Sequence, residues 1–225
     1  MKKKYSISLA LTAMMSFSAE AINVGEITSM MSADSSILAK EVSNTTDTAR
    51  YVSLSVERIS SPMAGGVVIP MESKSELLST PASLIMPADA SENFRFIYKG
   101  PEDDKERYYR LSWTDEPVTE QDASKSAKLG QATTSAIIST ILVVAPRKER
   151  FDFVSKDGKI TNTGNSSFRV ISYGPCRDAS RDIGKGCRER YYLMPGISTK
   201  IQYTDLTNKK TRIGIWHDGK YINVE

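Results

Sequence analysis

Ala132-Thr133-Thr134-Ser135-Ala136-Ile137-Ile138-Ser139-Thr140-Ile141-Leu142-Val143-Val144-Ala145-Pro146 carries no charge, is rich in β-branched residues, and contains neither Gly nor Pro until Pro146 ends it. That composition favours extended backbone and predicts one long strand over 132–146. Side chains alternate across a strand. Ala132, Thr134, Ala136, Ile138, Thr140, Leu142 and Val144 therefore form one face, and Thr133, Ser135, Ile137, Ser139, Ile141 and Val143 the other. The 141–144 end is apolar on both faces, while the 132–136 end is small and polar. A strand sunk in a core at one end and running along a sheet edge at the other has this pattern. The unpaired N–H and C=O groups of such an edge can template pairing with another chain.

The N-terminus sets the compartment. Lys2, Lys3 and Lys4 precede an apolar run over 7–17 and a small-x-small site at Ala19-Glu20-Ala21. This is the pattern of a cleaved export signal over 1–21, with a run well short of the roughly 20 residues of a membrane span. Without residues 1–21 the chain has 27 basic and 26 acidic residues. Near-neutrality gives nucleic acid binding no electrostatic support. About 200 remaining residues fit one large all-β domain or two of roughly 100.

Downstream of the signal, short strand patterns alternate with turn clusters: 22–31, 35–42, 50–59, 84–88, 91–98 and 107–113, then the strand over 132–146. Tyr109, Leu111 and Trp113 share one face. Residues 115–130 read as a polar loop longer than an ordinary hairpin, either functional or inert. Beyond Pro146 the charged run Arg147-Lys148-Glu149-Arg150 reads as a hinge. A second set of strands follows over 151–154, 159–163, 168–173, 190–194, 199–203 and 211–216, and the Asp218-Gly219 turn leads to 221–224. Two such sets predict an all-β protein of two immunoglobulin-like β-sandwich domains, over 22–146 and 147–225.

Cys176 and Cys187 are the only cysteines. Their spacing is not C-x-x-C and no histidine lies nearby, so they read as one structural disulfide closing a loop of about 12 residues, worth roughly 3 kcal/mol. Catalysis has little support. The single histidine, His217, sits beside a turn and reads as a solvated residue. Nucleophile-elbow and phosphate-loop motifs are absent from the sequence, as is any zinc-binding histidine cluster. The acidic group Glu102-Asp103-Asp104-Glu106 is interrupted by Lys105 and reads as solvated rather than as a cation site. No enzyme, cofactor, metal or nucleotide is expected.

Several segments together carry a family resemblance: 96–101 (FIYKGP), 106–110 (ERYYR), 140–147 (TILVVAPR), 161–165 (TNTGN), 173–176 (YGPC) and 191–196 (YYLMPG). In this order, with the export signal and two β-domains, the chain resembles the periplasmic chaperones of the chaperone–usher pilus pathway, and among them those of the common pilus of enteric bacteria. The resemblance implies an L-shaped pair of immunoglobulin-like domains in the periplasm. It also implies pilin subunits as clients, an outer-membrane usher as the receiver, and a homodimer that caps its own edge as an open question. Each client lacks its last strand, and the chaperone fills the gap with its edge strand. On this reading Thr134, Ala136 and Ile138 enter the client's groove, Thr140 and Leu142 belong to the same donor face, and Leu142 with Val144 carries that face into the chaperone's own core; the phase of Ile137 and Ile141 is the alternative. A pilus subunit or surface adhesin is the second reading.

One departure stands out. Chaperones of this family hold the client's C-terminal carboxylate with an Arg on the first strand and a Lys on the donor strand. Those positions fall near Thr28 and Ile141, and neither is basic. Arg50, Arg95 and Arg110 are the substitute candidates, with plain surface solvation as the alternative for each.

Overall fold

The computed structural model describes residues 21–118 and 135–224, and within them the protein is all-β. The first eight strands are β1 (Thr28–Met31), β2 (Ile37–Ser43), β3 (Arg50–Ile59), β4 (Leu77–Thr80), β5 (Ser83–Met86), β6 (Ser91–Tyr98), β7 (Arg107–Pro117) and β8 (Ala136–Val144). They form a five-stranded sheet, β1-β8-β7-β3-β5, packed on a three-stranded sheet, β2-β6-β4. Alternation explains the pairing. Val52 and Leu54 of β3, and Tyr109, Leu111 and Trp113 of β7, point inward against Phe94 and Phe96 of β6. Trp113 is fully buried and meets Phe94 edge-on with ring centroids 4.9 Å apart.

The second sandwich contains β9 (Phe153–Lys156), β10 (Lys159–Asn162), β11 (Phe168–Gly174), β12 (Cys187–Leu193), β13 (Ser198–Lys200), β14 (Arg212–His217) and β15 (Lys220–Val224). Its sheets are β13-β10-β9 and β12-β11-β14-β15. Ile160, Phe168, Val170, Leu193, Ile201 and Ile215 fill its core. The Cys176–Cys187 disulfide is formed and joins the end of β11 to the start of β12.

Several elements differ from the sequence reading; β8, for one, ends at Val144 rather than Pro146, and β12 starts at Cys187 rather than Arg190. Regular structure in the opening segment starts at Thr28 rather than Ile22, because Asn23 first bridges Ser43 before the chain crosses to β8. β4 follows a turn that the sequence reading passed over. β7 runs on to Pro117 and takes in Asp115, which had been read as the start of a polar loop. The cause is a buried ion pair: Arg50 Nε donates to Asp115 Oδ1 at 2.6 Å, and the Ile22 N–H donates to Oδ2 at 3.1 Å. Residues 119–134, which hold the rest of that loop and Thr134, lie outside the described residues, as do residues 1–20 of the export signal expected over 1–21.

Candidate strand-donor edge and cleft

β8 pairs antiparallel with β7 along its whole length, from Ala136 opposite Asp115 to Val144 opposite Arg107. On its other side β1 covers only 141–144, in parallel register. Residues 136–140 therefore leave one edge open among the described residues. The Ile141 N–H donates to Ile27 O and the Ala145 N–H to Met31 O, so the odd-numbered residues direct their backbone groups to this side. By alternation the N–H and C=O groups of Ile137 and Ser139 point to the open edge.

The same alternation sorts the side chains. Ile137 is 71% exposed, the most exposed large apolar residue of β8, and Ser139 is exposed too. Ile138 packs against the core; Thr140, Leu142 and Val144 are buried. Ile138, Thr140 and Leu142, and Ala136 by alternation, therefore lie on the face of β8 turned to the protein's own sandwich. Trp113 is the physical reason, since its indole N–H donates to Thr140 Oγ1 at 3.0 Å and holds the even-numbered residues inward.

The open edge runs toward a cleft between the sandwiches. A cavity of about 260 Å³ is lined by Glu26, Thr28 and Met30 on one side and by Arg169, Tyr192 and His217 on the other. Thr28 and Ile141 sit opposite each other, and Arg110 lies beside Ile141 on β7. Arg110 is on the outward face of the sheet, 3.7 Å from Glu57 and with its side chain 35% exposed. Arg50 is buried in its pair with Asp115, and Arg95 is exposed on the outer face of the three-stranded sheet, which does not carry β8. Of the three arginines, only Arg110 stands beside the cleft end of β8. Arg169 was missed, because the alternation of β11 marks it as outward without telling what that face meets.

The sandwiches are joined by polar contacts rather than by a shared core. Arg147 donates to the carbonyls of Ser32, Ala33 and Ser35 at 2.7–2.9 Å, and stacks over Tyr98. Asn165 Nδ2 donates to Asp104 O at 2.9 Å, and Ser32 Oγ to Asp218 Oδ1 at 2.6 Å. Glu106 accepts the Ser167 N–H at 2.6 Å as well as its hydroxyl. Of the acidic group expected to be solvated, Glu102 and Asp104 are exposed, whereas Glu106 is engaged by Ser167 and Asp103 by Arg107. Burial pushes the Glu106 carboxyl up, with hydrogen bonds from Ser167 opposing. Asp103 is held down at about 2 by the Arg107 guanidinium. His217 is not solvated either: it stacks on Phe151, centroids 4.5 Å apart, and its Nε2 lies 3.2 Å from Glu149. Among the described residues no cluster of His, Cys, Asp or Glu is placed to hold a metal ion.

Two β-sandwiches, with a half-open strand leading into the cleft between them, define the architecture of pilus chaperones. Comparison with known proteins agrees. Residues 151–224 match the family model described as the EcpB C-terminal domain. The probable fimbrial chaperone EcpB of Klebsiella pneumoniae (strain 342) is 45% identical over 99% of this chain and 100% of its own length. That of Escherichia coli O18:K1:H7 is 46% identical over the same shares. The chain belongs to the EcpB family of fimbrial chaperones. Among solved structures, the Class 5 fimbriae chaperone CfaA superposes with a TM-score of 0.54 at 18% identity, over 90% of this chain and 96% of that one. A chain of the Salmonella enterica SafA pilin–SafB chaperone complex gives 0.52 at 15%, over 92% and 94%. At such identities these two matches speak to the fold.

Proposed function

We propose that this chaperone works in the periplasm by laying the open edge of β8 against an incomplete pilin sandwich, and that it passes the pilin to an outer-membrane usher. The carrying observation is the unpaired stretch 136–140, whose outward residue Ile137 is 71% exposed. Backbone groups of Ile137 and Ser139 supply the pairing, and the odd-numbered side chains supply the groove contacts. This takes the alternative phase, with Ile137 and Ile141, because the even-numbered side chains already serve the protein's own core. The division falls at Pro146–Arg147, giving donor and second domains over 22–146 and 147–225; the family-model match over 151–224 supports it.

For the client's C-terminal carboxylate, Arg110 beside Ile141 on β7 and Arg169 in the cavity lining take the place of the missing basic pair. Each guanidinium can offer two parallel N–H donors. No bond is made or broken in this cycle, and two free copies can cap each other along the same edge. Co-expression with the neighbouring pilin genes and pull-down tests the reading. A one-to-one complex is expected with the wild type and lost with Ile137→Arg; capture of no subunit by the wild type overturns it.

A further inference from the structure

The near-neutral sum of charges hides a division. Residues 22–146 hold 11 basic and 17 acidic side chains, and residues 147–225 hold 16 and 9. Much of the excess positive charge is gathered on one surface. In the β12-β11-β14-β15 sheet the registers align Tyr192, Arg169, Trp216 and Tyr221 in one row across the strands. The next row is Arg190, Ile171, Gly214 and Asn223, and the third is Arg188, Tyr173 and Arg212. All point away from the core, since Phe168, Val170, Leu193, Ile215 and Val224 occupy the opposite phase.

Among the described residues the second and third rows carry no carboxylate, while the first row turns toward the cleft, where Arg169, Tyr192 and Trp216 line the cavity together with Glu26, Glu149 and Asp218; Arg169, Arg188, Arg190 and Arg212 make no ion pair. All four are exposed, and Trp216, Tyr173 and Tyr221 are each about half exposed between them. At the third-row end, the disulfide-closed loop between β11 and β12 carries Ile183, 86% exposed, with Arg181 and Lys185 two residues to either side. That loop also contains Asp178 and Asp182, but both accept backbone N–H groups within it.

We propose that this outward face of the second sandwich docks the protein on an anionic phospholipid bilayer. The groups lie on a sheet face, not at an edge, so they cannot recruit a polypeptide by strand addition. They form instead a two-dimensional grid, with rows roughly 7 Å apart along the strands and columns about 5 Å apart across them. A plane of phosphates suits that grid: Arg pairs bidentately with phosphate, and Trp and Tyr settle at the boundary between headgroups and chains. The acidic first half turns the molecule so that this face meets the negative surface, leaving the β8 edge on the other sandwich.

Vesicle flotation of the mature chain tests this, using phosphatidylethanolamine alone or with about one quarter phosphatidylglycerol. The chain has two tryptophans and Trp113 is fully buried, so a shift in emission reports Trp216. The expected result is association with the anionic vesicles only, weakened by salt and accompanied by a blue shift of Trp216. Replacing Arg188, Arg190 and Arg212 together by Gln should lower the partition about 100-fold, at roughly fivefold per arginine. Failure of the wild type to bind anionic vesicles at low salt overturns the proposal, whatever the variant does. So does equal binding by wild type and variant, or wild-type binding to soluble polyglutamate but not to vesicles, which assigns the face to an acidic polypeptide.

Discussion

Thr28 and Ile141 stand directly opposite each other across the parallel β1–β8 pair. They are the positions near which the basic pair of the resembled chaperones falls, so both members of that pair map to one spot. That spot is flanked by Arg110 along the sheet, and Arg169 and Thr28 line the same cavity.

Arg110→Gln and Arg169→Gln should each weaken subunit capture by about tenfold or more, as expected for loss of a charge-assisted hydrogen bond. Arg50→Gln should leave capture unchanged and instead lower stability by about 3 kcal/mol, because Asp115 would remain buried without its partner. Pull-down and denaturant melts on the three variants separate the roles. An intact affinity in the Arg110→Gln/Arg169→Gln double variant would remove the anchor from this cleft.

Ile137 and Ile138 are neighbours on opposite faces of β8. Ile137→Arg should abolish capture while leaving the chaperone's melting midpoint in place. Ile138→Arg should destabilise the chaperone itself by about 2 kcal/mol or more, because it drives a charge against the core around Trp113. Reversal of the two outcomes would restore the even-numbered face as donor.

Asp103 is depressed to about 2, mainly by the hydrogen bonds from Arg107. A folded value below the unfolded one stabilises the protein above the ordinary carboxylate range, and that stabilisation is lost as pH falls toward 2. An NMR titration of the Asp103 carboxyl carbon should show a midpoint near 2 in the wild type, rising toward 3.8 in Arg107→Leu. No rise would mean that Arg107 is not the cause.

Glu106 has the opposite sign. Burial raises its folded pKa, so its contribution to stability declines as pH rises from the ordinary glutamate range through the raised value. Stability measured across that window should fall less in Glu106→Gln, which keeps an acceptor for Ser167. Identical pH profiles for the two proteins would show that the contact between the sandwiches does not titrate.

Strand positions and faces were legible where patterning was one-sided. The alternation of Tyr109, Leu111 and Trp113 gave β7 its buried face, and Arg50–Ile59 was bounded correctly. Which of Ile137 and Ile138 turns outward was not legible, because the two are chemically alike. What separates them is Thr140, whose hydroxyl answers the Trp113 indole from 27 positions away. Glu106 and His217 misled for a similar reason. Each looks like a surface residue in its own segment, and each is covered by the other sandwich or its linker. Arg169 carries no local mark at all, since its place in the cleft depends on how two separately folded sheets meet.

The bond from Trp113 to Thr140 bears on how often the chaperone can be used. Under the proposed use of the odd-numbered face, its inner side chains would stay committed to its own sandwich throughout, and a client would borrow only main-chain groups and the outer residues. Release would then need no refolding step before another round.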